Sequence, residues 1–293
     1  MFAEACRKAA EYTRPVVIST RLQSGEVRTE CGSFIVLNKD GWFVTAGHLY
    51  DSLVKYQGDQ NKISEINSLN ESRQQDPDAP SNEIKLDPEF ITNHSMWWGW
   101  DGTRVEEAFV NRQVDIAVGR LAGFDPSWVK EYPVLRDPDT LCPGTSICRM
   151  GFPFVGIASS FDEEKGMFRI PAIPSKEVIF PNDGIHTRTV SNGRTADDKY
   201  ECLYVETSTP GLKGQSGGPI FDREGHLYAV QVQTRHIPLD LHPTAIYDGQ
   251  TMVENQFMNV GMGVHIRIVR SILDERGVRY DAEGDEEGFR IID

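Results

Sequence analysis

Apolar residues in this chain cluster in short runs of five to seven, separated by glycine, proline, asparagine and aspartate, which is the pattern of strands joined by turns. Pro15 opens the first run, Val16-Val17-Ile18-Ser19-Thr20. Gly32-Ser33-Phe34-Ile35-Val36-Leu37 and Gly41-Trp42-Phe43-Val44-Thr45 flank Asn38-Lys39-Asp40, where Asp-Gly supplies hairpin chemistry. Further strands are predicted across residues 105–121, 147–154, 203–207 and 260–266, with a hairpin from Pro219-Ile220-Phe221-Asp222 to residues 226–232 across Arg223-Glu224-Gly225. Helical spacing is confined to residues 1–13, a short helix over 49–56, and Ile268, Val269, Ile272 and Leu273 near the end. Residues 57–88 are polar and contain Pro77 and Pro80, so they are predicted to form an insertion loop with a tendency to disorder. The cluster Met96-Trp97-Trp98-Gly99-Trp100 is assigned to a strand and to core packing.

The run Gly211-Leu212-Lys213-Gly214-Gln215-Ser216-Gly217-Gly218-Pro219 adds chemistry to this β pattern. Glycines on both sides of Ser216 expose a hydroxyl beside free backbone amides, an arrangement suited to acyl transfer. A serine hydroxyl is a weak nucleophile and needs a general base held by a third group. His48 ends the run Trp42-Phe43-Val44-Thr45-Ala46-Gly47, and Asp115 opens Asp115-Ile116-Ala117-Val118. From His48 to Asp115 is 67 residues and from Asp115 to Ser216 is 101.

Thr45-Ala46-Gly47-His48, Asp115-Ile116-Ala117-Val118 and Gly214-Gln215-Ser216-Gly217-Gly218-Pro219, in that order, resemble the trypsin/chymotrypsin-like serine proteases, in particular their bacterial HtrA-like branch. The resemblance covers about residues 15 to 278, and Gly151-Phe152-Pro153 matches a segment common in that branch. It implies an all-β fold of two six-stranded antiparallel Greek-key barrels closed by a C-terminal helix. The first barrel is expected over about 15–122, the second over about 141–266 and the helix over about 267–277, within a peptidase domain of 1–280. Residues 281–293 are expected to be an acidic tail, with no PDZ domain. By the same resemblance His48, Asp115 and Ser216 are the catalytic residues of a serine endopeptidase, and the amides of Gly214 and Ser216 form the oxyanion hole.

Two departures from trypsin change what is expected of regulation and specificity. Gln215 stands where zymogen-activated relatives carry an aspartate that pairs with a newly cut N-terminus. Activation by N-terminal cleavage is therefore not expected, and loop ordering or an activating protein partner is expected in its place. Pro210 occupies the position, six before the serine, that forms the floor of the specificity pocket, so cleavage after Lys or Arg is not expected. Pro210, Lys213, Val232, Gln233, Thr234 and His265 are the expected substrate-binding residues, with an acidic or uncharged residue preferred before the cleaved bond.

Composition narrows the remaining classes. A chain of 293 residues with 39% hydrophobic and 25% charged residues is that of a folded globular protein. A net charge of −14 disfavours binding to a phosphate backbone, so nucleic acid is not an expected partner. No stretch approaches the roughly 18 apolar residues of a membrane span, and the N-terminus lacks the apolar core of a secretory signal. Five cysteines without metal-type spacing point to thiols in a reducing compartment, hence the cytoplasm, and no cofactor or metal is called for. Two other readings fit parts of the pattern. A protease scaffold that has become a binding module would keep the strands without needing all three side chains. An α/β-hydrolase esterase would use Gly214-Gln215-Ser216-Gly217-Gly218 as its nucleophile elbow, but needs its acid and histidine after the serine and helices alternating with strands.

Overall fold

A computed structural model of the chain describes residues 1–75, 83–153, 156–170, 178–248, 250–253 and 255–284. The first helix, α1 (Ala3–Tyr12), runs directly into the first sheet. That sheet comprises β1 (Thr13–Leu22), β2 (Val27–Val36), β3 (Trp42–Ala46), β4 (Ile91–Trp98), β5 (Arg104–Asn111) and β6 (Ile116–Ala122), in the order β4-β1-β2-β3-β6-β5. Its edge strands β4 and β5 are consecutive in the chain. Residues 99–103 can span at most about 20 Å, less than the roughly 24 Å width of six flat strands, so the sheet must curl to bring its edges together.

The second sheet contains β7 (Val134–Leu135), β8 (Ser146–Gly151), β11 (Phe180–Arg194), β12 (Glu201–Thr207), β13 (Pro219–Phe221), β14 (Leu227–Pro238), β17 (Phe257–His265) and β18 (Asp281–Ala282). Two separate hairpins lie between these strands, β9 (Ser160–Asp162) with β10 (Met167–Arg169), and β15 (Thr244–Tyr247) with β16 (Gln250–Val253). The order β13-β8-β11-β12-β17-β14 is closed by pairing of β13 with β14, and β7 and β18 add in parallel at the edge of β14. Numbering each set of six strands from first to sixth gives the same cyclic order, 1-2-3-6-5-4, in both halves. This is the all-β, chymotrypsin-like two-barrel architecture, and its antiparallel sheets exclude the α/β-hydrolase reading.

Packing follows the hydrophobic runs. Phe34, Phe43, Tyr50 and Trp98 fill the first barrel, with the Phe43 and Trp98 rings 4.8 Å apart. Ile147, Val205, Ile220, Tyr228 and Ala229 fill part of the second. The closing helix α3 (Ile266–Glu275) buries Ile268, Val269, Ile272 and Leu273 at helical spacing. All five cysteines are free. Among the described residues no helix is long and apolar enough to cross a membrane. The expected tail falls largely outside the described residues, which end at 284; its first two residues form β18.

The polar stretch after the first barrel's third strand differs from expectation. It forms α2 (Asp51–Gln75), a 25-residue helix, and not a loop; residues 76–82 lie outside the described set. The helix is mostly polar and docks largely through polar side chains, with Leu53 packed against the core and Tyr56 stacked on His94 (5.8 Å between rings). Asp59 accepts from the Ile91 amide (2.9 Å) and from Lys55, Gln60 donates to the Ile91 carbonyl (3.0 Å), and Asn70 exchanges two hydrogen bonds with the backbone of Ile84 (2.9 Å each).

Candidate active site

The register of β3 against β6 places Ala46 opposite Ile116, so the residues just beyond each strand end face one another. There the Gly47 amide donates to the Asp115 carbonyl (3.0 Å) and the His48 amide to Asp115 Oδ1 (2.7 Å). His48 Nδ1 lies 2.9 Å from Asp115 Oδ2, which sets the tautomer with Nδ1 protonated and Nε2 available as a base. Nε2 has no hydrogen-bond partner among the described residues. Both side chains are half-buried, His48 31% and Asp115 20% exposed, so the imidazole remains reachable from solvent. Asp115 has φ 61°, an uncommon backbone conformation for a non-glycine residue and one that aspartate tolerates better than most. Arg112 Nη1 donates to Asp115 Oδ1 (2.7 Å) and the same guanidinium pairs with Asp51 (2.6 Å).

Ser216 is half-buried on the loop between β12 and β13. Two contacts tie that loop to the first barrel: the Ser33 amide donates to the Ser216 carbonyl (2.8 Å) and Ser33 Oγ to the Gly214 carbonyl (2.8 Å). Gly217, at φ +83°, lies against the Ser33 carbonyl, Thr45 Oγ1 and the Ala46 amide, two residues before His48. A Cβ there would collide with β2 and β3, so glycine is what lets the serine loop approach the histidine strand. Gly214, at φ +100°, is pressed against the Phe152 carbonyl in the same way. No hydrogen bond joins Ser216 Oγ to His48 among the described contacts. The amides of Gln215, Gly217 and Gly218 are all donated within the protein, to Leu212, Gln231 and Gln215. Those of Gly214 and Ser216 have no acceptor among the described residues.

Gln215 is fully buried, and its Oε1 accepts from the Leu212 amide (2.9 Å) while its Nε2 donates to the Phe180 carbonyl (3.2 Å). The loop is thus cross-linked from within by a neutral amide. Lys213 is exposed at a cleft of about 360 Å³ whose other walls include Glu30, Cys31, Phe152, Ile157 and Gly214. Pro210 and Thr234 are half-buried beside the serine loop; the Pro210 carbonyl accepts from Asn182 (3.0 Å) and Thr234 Oγ1 donates to the Gly211 carbonyl (2.7 Å). Val232 is buried and Gln233 exposed on β14.

His265 lies at the end of β17, opposite Ala229. It is buried, its Nδ1 accepts from the Arg267 amide (3.1 Å) as the N-cap of α3, and burial, with the nearby Arg267 charge, pushes its pKa down to about 4. The side chain is committed to a helix cap. Sequence reasoning gave no functional role to Arg112, Ser33 or Arg149, the last two being read only as parts of strands; only the preference of arginine for paired carboxylates could have drawn attention to Arg112, three residues before Asp115. Among the described residues no group of three or more His, Cys, Asp or Glu side chains could hold a metal ion.

No curated protein matches the chain in sequence. Among solved structures, an HtrA-type protease AlgW with a tripeptide is similar at 14% identity and TM-score 0.48, covering 94% of this chain and 63% of its own. The same protease with a decapeptide gives 14% identity and TM-score 0.47, covering 95% of this chain and 68% of its own. This chain therefore spans about two thirds of the length of those proteins. The sequence profile described as a trypsin-like peptidase domain matches residues 32–230, which takes in the His48 hairpin, the Asp115 turn and the whole serine loop, and the chain belongs to that family.

Proposed function

We propose that this protein is a serine endopeptidase that hydrolyses peptide bonds through an acyl-enzyme, with His48, Asp115 and Ser216 as its catalytic residues. The observation that carries the reading is the double hold of Asp115 on His48, through Nδ1 at 2.9 Å and through the backbone amide at 2.7 Å, beside a serine loop locked to the same strand ends. Such a hold serves no packing purpose on a half-exposed imidazole, but it is what a general base requires.

Ser216 Oγ attacks the substrate carbonyl carbon while His48 Nε2 takes the hydroxyl proton, and the carbonyl π electrons move to oxygen. The amides of Gly214 and Ser216, which have no acceptor among the described residues, would receive that oxyanion; one such donor is typically worth about 3 kcal/mol of the barrier. Collapse of the tetrahedral species breaks the C–N bond, and His48 passes the proton to the leaving amine. Water then repeats the sequence on the acyl-enzyme and releases Ser216. Asp115 stays ionised and stabilises the imidazolium in both halves.

The peptidase unit extends over residues 1–280, and Pro210 gives its pocket no acid with which to select Lys or Arg. The buried amide of Gln215 holds the serine loop where zymogen-type relatives need a new N-terminus, which supports activity without N-terminal cleavage. Five free thiols suit a cytoplasmic location.

A serine-directed fluorophosphonate tests the reading directly. Full-length protein is expected to be labelled at Ser216, with labelling and peptide hydrolysis abolished in Ser216→Ala. Equal hydrolysis by the two proteins, or no labelling of a folded protein, would overturn it in favour of a non-catalytic scaffold.

A further inference from the structure

Arg149 is the largest fully buried side chain among the described residues, 1% exposed, on β8 in the interior of the second barrel. Its partners are all neutral: Nη1 donates to Gln231 Oε1 (3.1 Å), and Nη2 to Thr207 Oγ1, to the Thr209 carbonyl (2.8 Å) and to Thr209 Oγ1 (3.3 Å). No carboxylate pairs with it among the described residues. Taking an ion out of water without a counter-charge costs several kcal/mol, and an apolar side chain of similar volume would fill the same space without that cost. Burial is also the main influence on its pKa, which is pushed down to about 10, still well above neutrality, so the guanidinium remains charged.

Arg149 adjoins the expected floor of the specificity pocket. Thr209, whose carbonyl it bonds, precedes Pro210, the expected floor residue. Gly261 on β17 and Gly211 on the serine loop both lack a side chain where they meet this group. A Cβ on Gly261 would run into Arg149 Nη1, and one on Gly211 into Gln231 Nε2. The Gln231 amide thus bridges the two, with Oε1 toward the guanidinium and Nε2 toward Gly211. Of the two Nε2 hydrogens one goes to the Gln233 carbonyl (2.9 Å), and the other has no acceptor among the described residues.

Resting on the serine peptidase reading above, we propose that Arg149, acting through Gln231, makes the floor of the primary specificity pocket cationic and selects an acidic residue immediately before the cleaved bond. An incoming carboxylate meets the free N–H of Gln231, polarised by the guanidinium behind it, and supplies the counter-charge that the fold withholds. A lysine or arginine in that position meets a like charge. Gln231 contacts the substrate in this scheme, and Arg149 is a positioning and charge-supplying residue behind it.

The test uses full-length protein and peptides identical except for Glu, Gln, Leu or Arg before the scissile bond. With wild type, kcat/KM for Glu is expected to exceed that for Gln by about 10- to 100-fold, as for a charge-assisted hydrogen bond in a desolvated site, and Arg to be cleaved least. Arg149→Met is expected to erase the Glu-over-Gln ratio. Gln231→Glu, isosteric and less disruptive, places a carboxylate beside Arg149 and is expected to erase it too, with thermal unfolding reporting whether each variant folds. Equilibrium binding of the same peptides to Ser216→Ala gives a second readout independent of turnover, in which the Glu peptide is expected to bind at least tenfold more tightly than the Gln peptide. A flat profile, or a preference for Arg, in a protein that labels with fluorophosphonate overturns the inference and leaves the peptidase reading intact. Selective binding of the Glu peptide without labelling or hydrolysis does the reverse.

Discussion

Asp115 accepts from three donors, the His48 amide, His48 Nδ1 and Arg112 Nη1, while occupying a left-handed backbone conformation. The choice of substitution therefore matters. Alanine at φ 61° would add backbone strain to the loss of the carboxylate, whereas asparagine tolerates that region and keeps the shape. Asp115→Asn is expected to leave the unfolding midpoint nearly unchanged and to lower kcat by about four orders of magnitude, because its amide favours the wrong imidazole tautomer. Arg112 is 44% exposed, and its ion pairs are worth at most about 1 kcal/mol in stability. Arg112→Ala is accordingly expected to lower kcat by less than about tenfold, and a thousandfold loss would show that the guanidinium does more than orient the aspartate. His48, Asp115 and Ser216 were legible because each is framed by residues with their own structural reason to be there: a strand end, a buried run, a glycine turn. Arg112 carries no such frame, and that of Arg149 marks only a strand. Their significance lies in partners 3 to 112 positions away in sequence, which periodicity cannot convey.

At the scale of elements, strands were legible wherever an apolar run met turn chemistry, and the hairpins at Asp40-Gly41 and Arg223-Glu224-Gly225 form where that chemistry placed them. The helix α2 was not legible, since hydrophobic periodicity detects a helix by its buried stripe and this one buries only Asp59 and Asn70. Its docking is written largely in polar side chains, which single-sequence reasoning assigns to solvent. His265 shows the same limit. It caps α3 from a buried position, and a pKa near 4 means that the folded protein resists protonating it while the unfolded chain takes up the proton near pH 6.5. Between these values the unfolded state binds more protons, so stability falls as pH is lowered from about 6.5 to 4, by about 3 kcal/mol in all from this residue. Burial pushes the His186 pKa down as well, which adds to the loss in the same direction. Denaturant titrations at pH 7, 6, 5 and 4.5 should show the decline, and His265→Asn, which retains a capping acceptor without a titrating group, should flatten it. An unchanged slope in that variant would assign the acid sensitivity elsewhere.

At the scale of the whole molecule, the proposed site exists only while two barrels stay in register, and the helix α1 is placed to hold them. It packs on the second barrel through Phe2 against Phe221 (6.4 Å between rings) and Cys6 beside Cys148 (3.9 Å between sulfurs), then passes from Tyr12 into β1 of the first. Ala5, Ala9 and Tyr12 are buried along the same face. Truncating Phe2, 9% exposed, to alanine is expected to cost about 3 kcal/mol, toward the low end for a buried phenylalanine. The distribution of tryptophan makes the consequence separable. All five, at positions 42, 97, 98, 100 and 128, precede β7 and report on the first half alone, whereas fluorophosphonate labelling requires His48 from the first barrel and Ser216 from the second. If α1 and the Ser33 contacts couple the halves, urea should abolish labelling and tryptophan fluorescence at one midpoint in the wild type, as expected of a cooperative transition. Phe2→Ala should move both midpoints to lower urea together. Loss of labelling well before the fluorescence change, in either protein, would mean that the second barrel opens on its own and that the first helix belongs energetically to one barrel only.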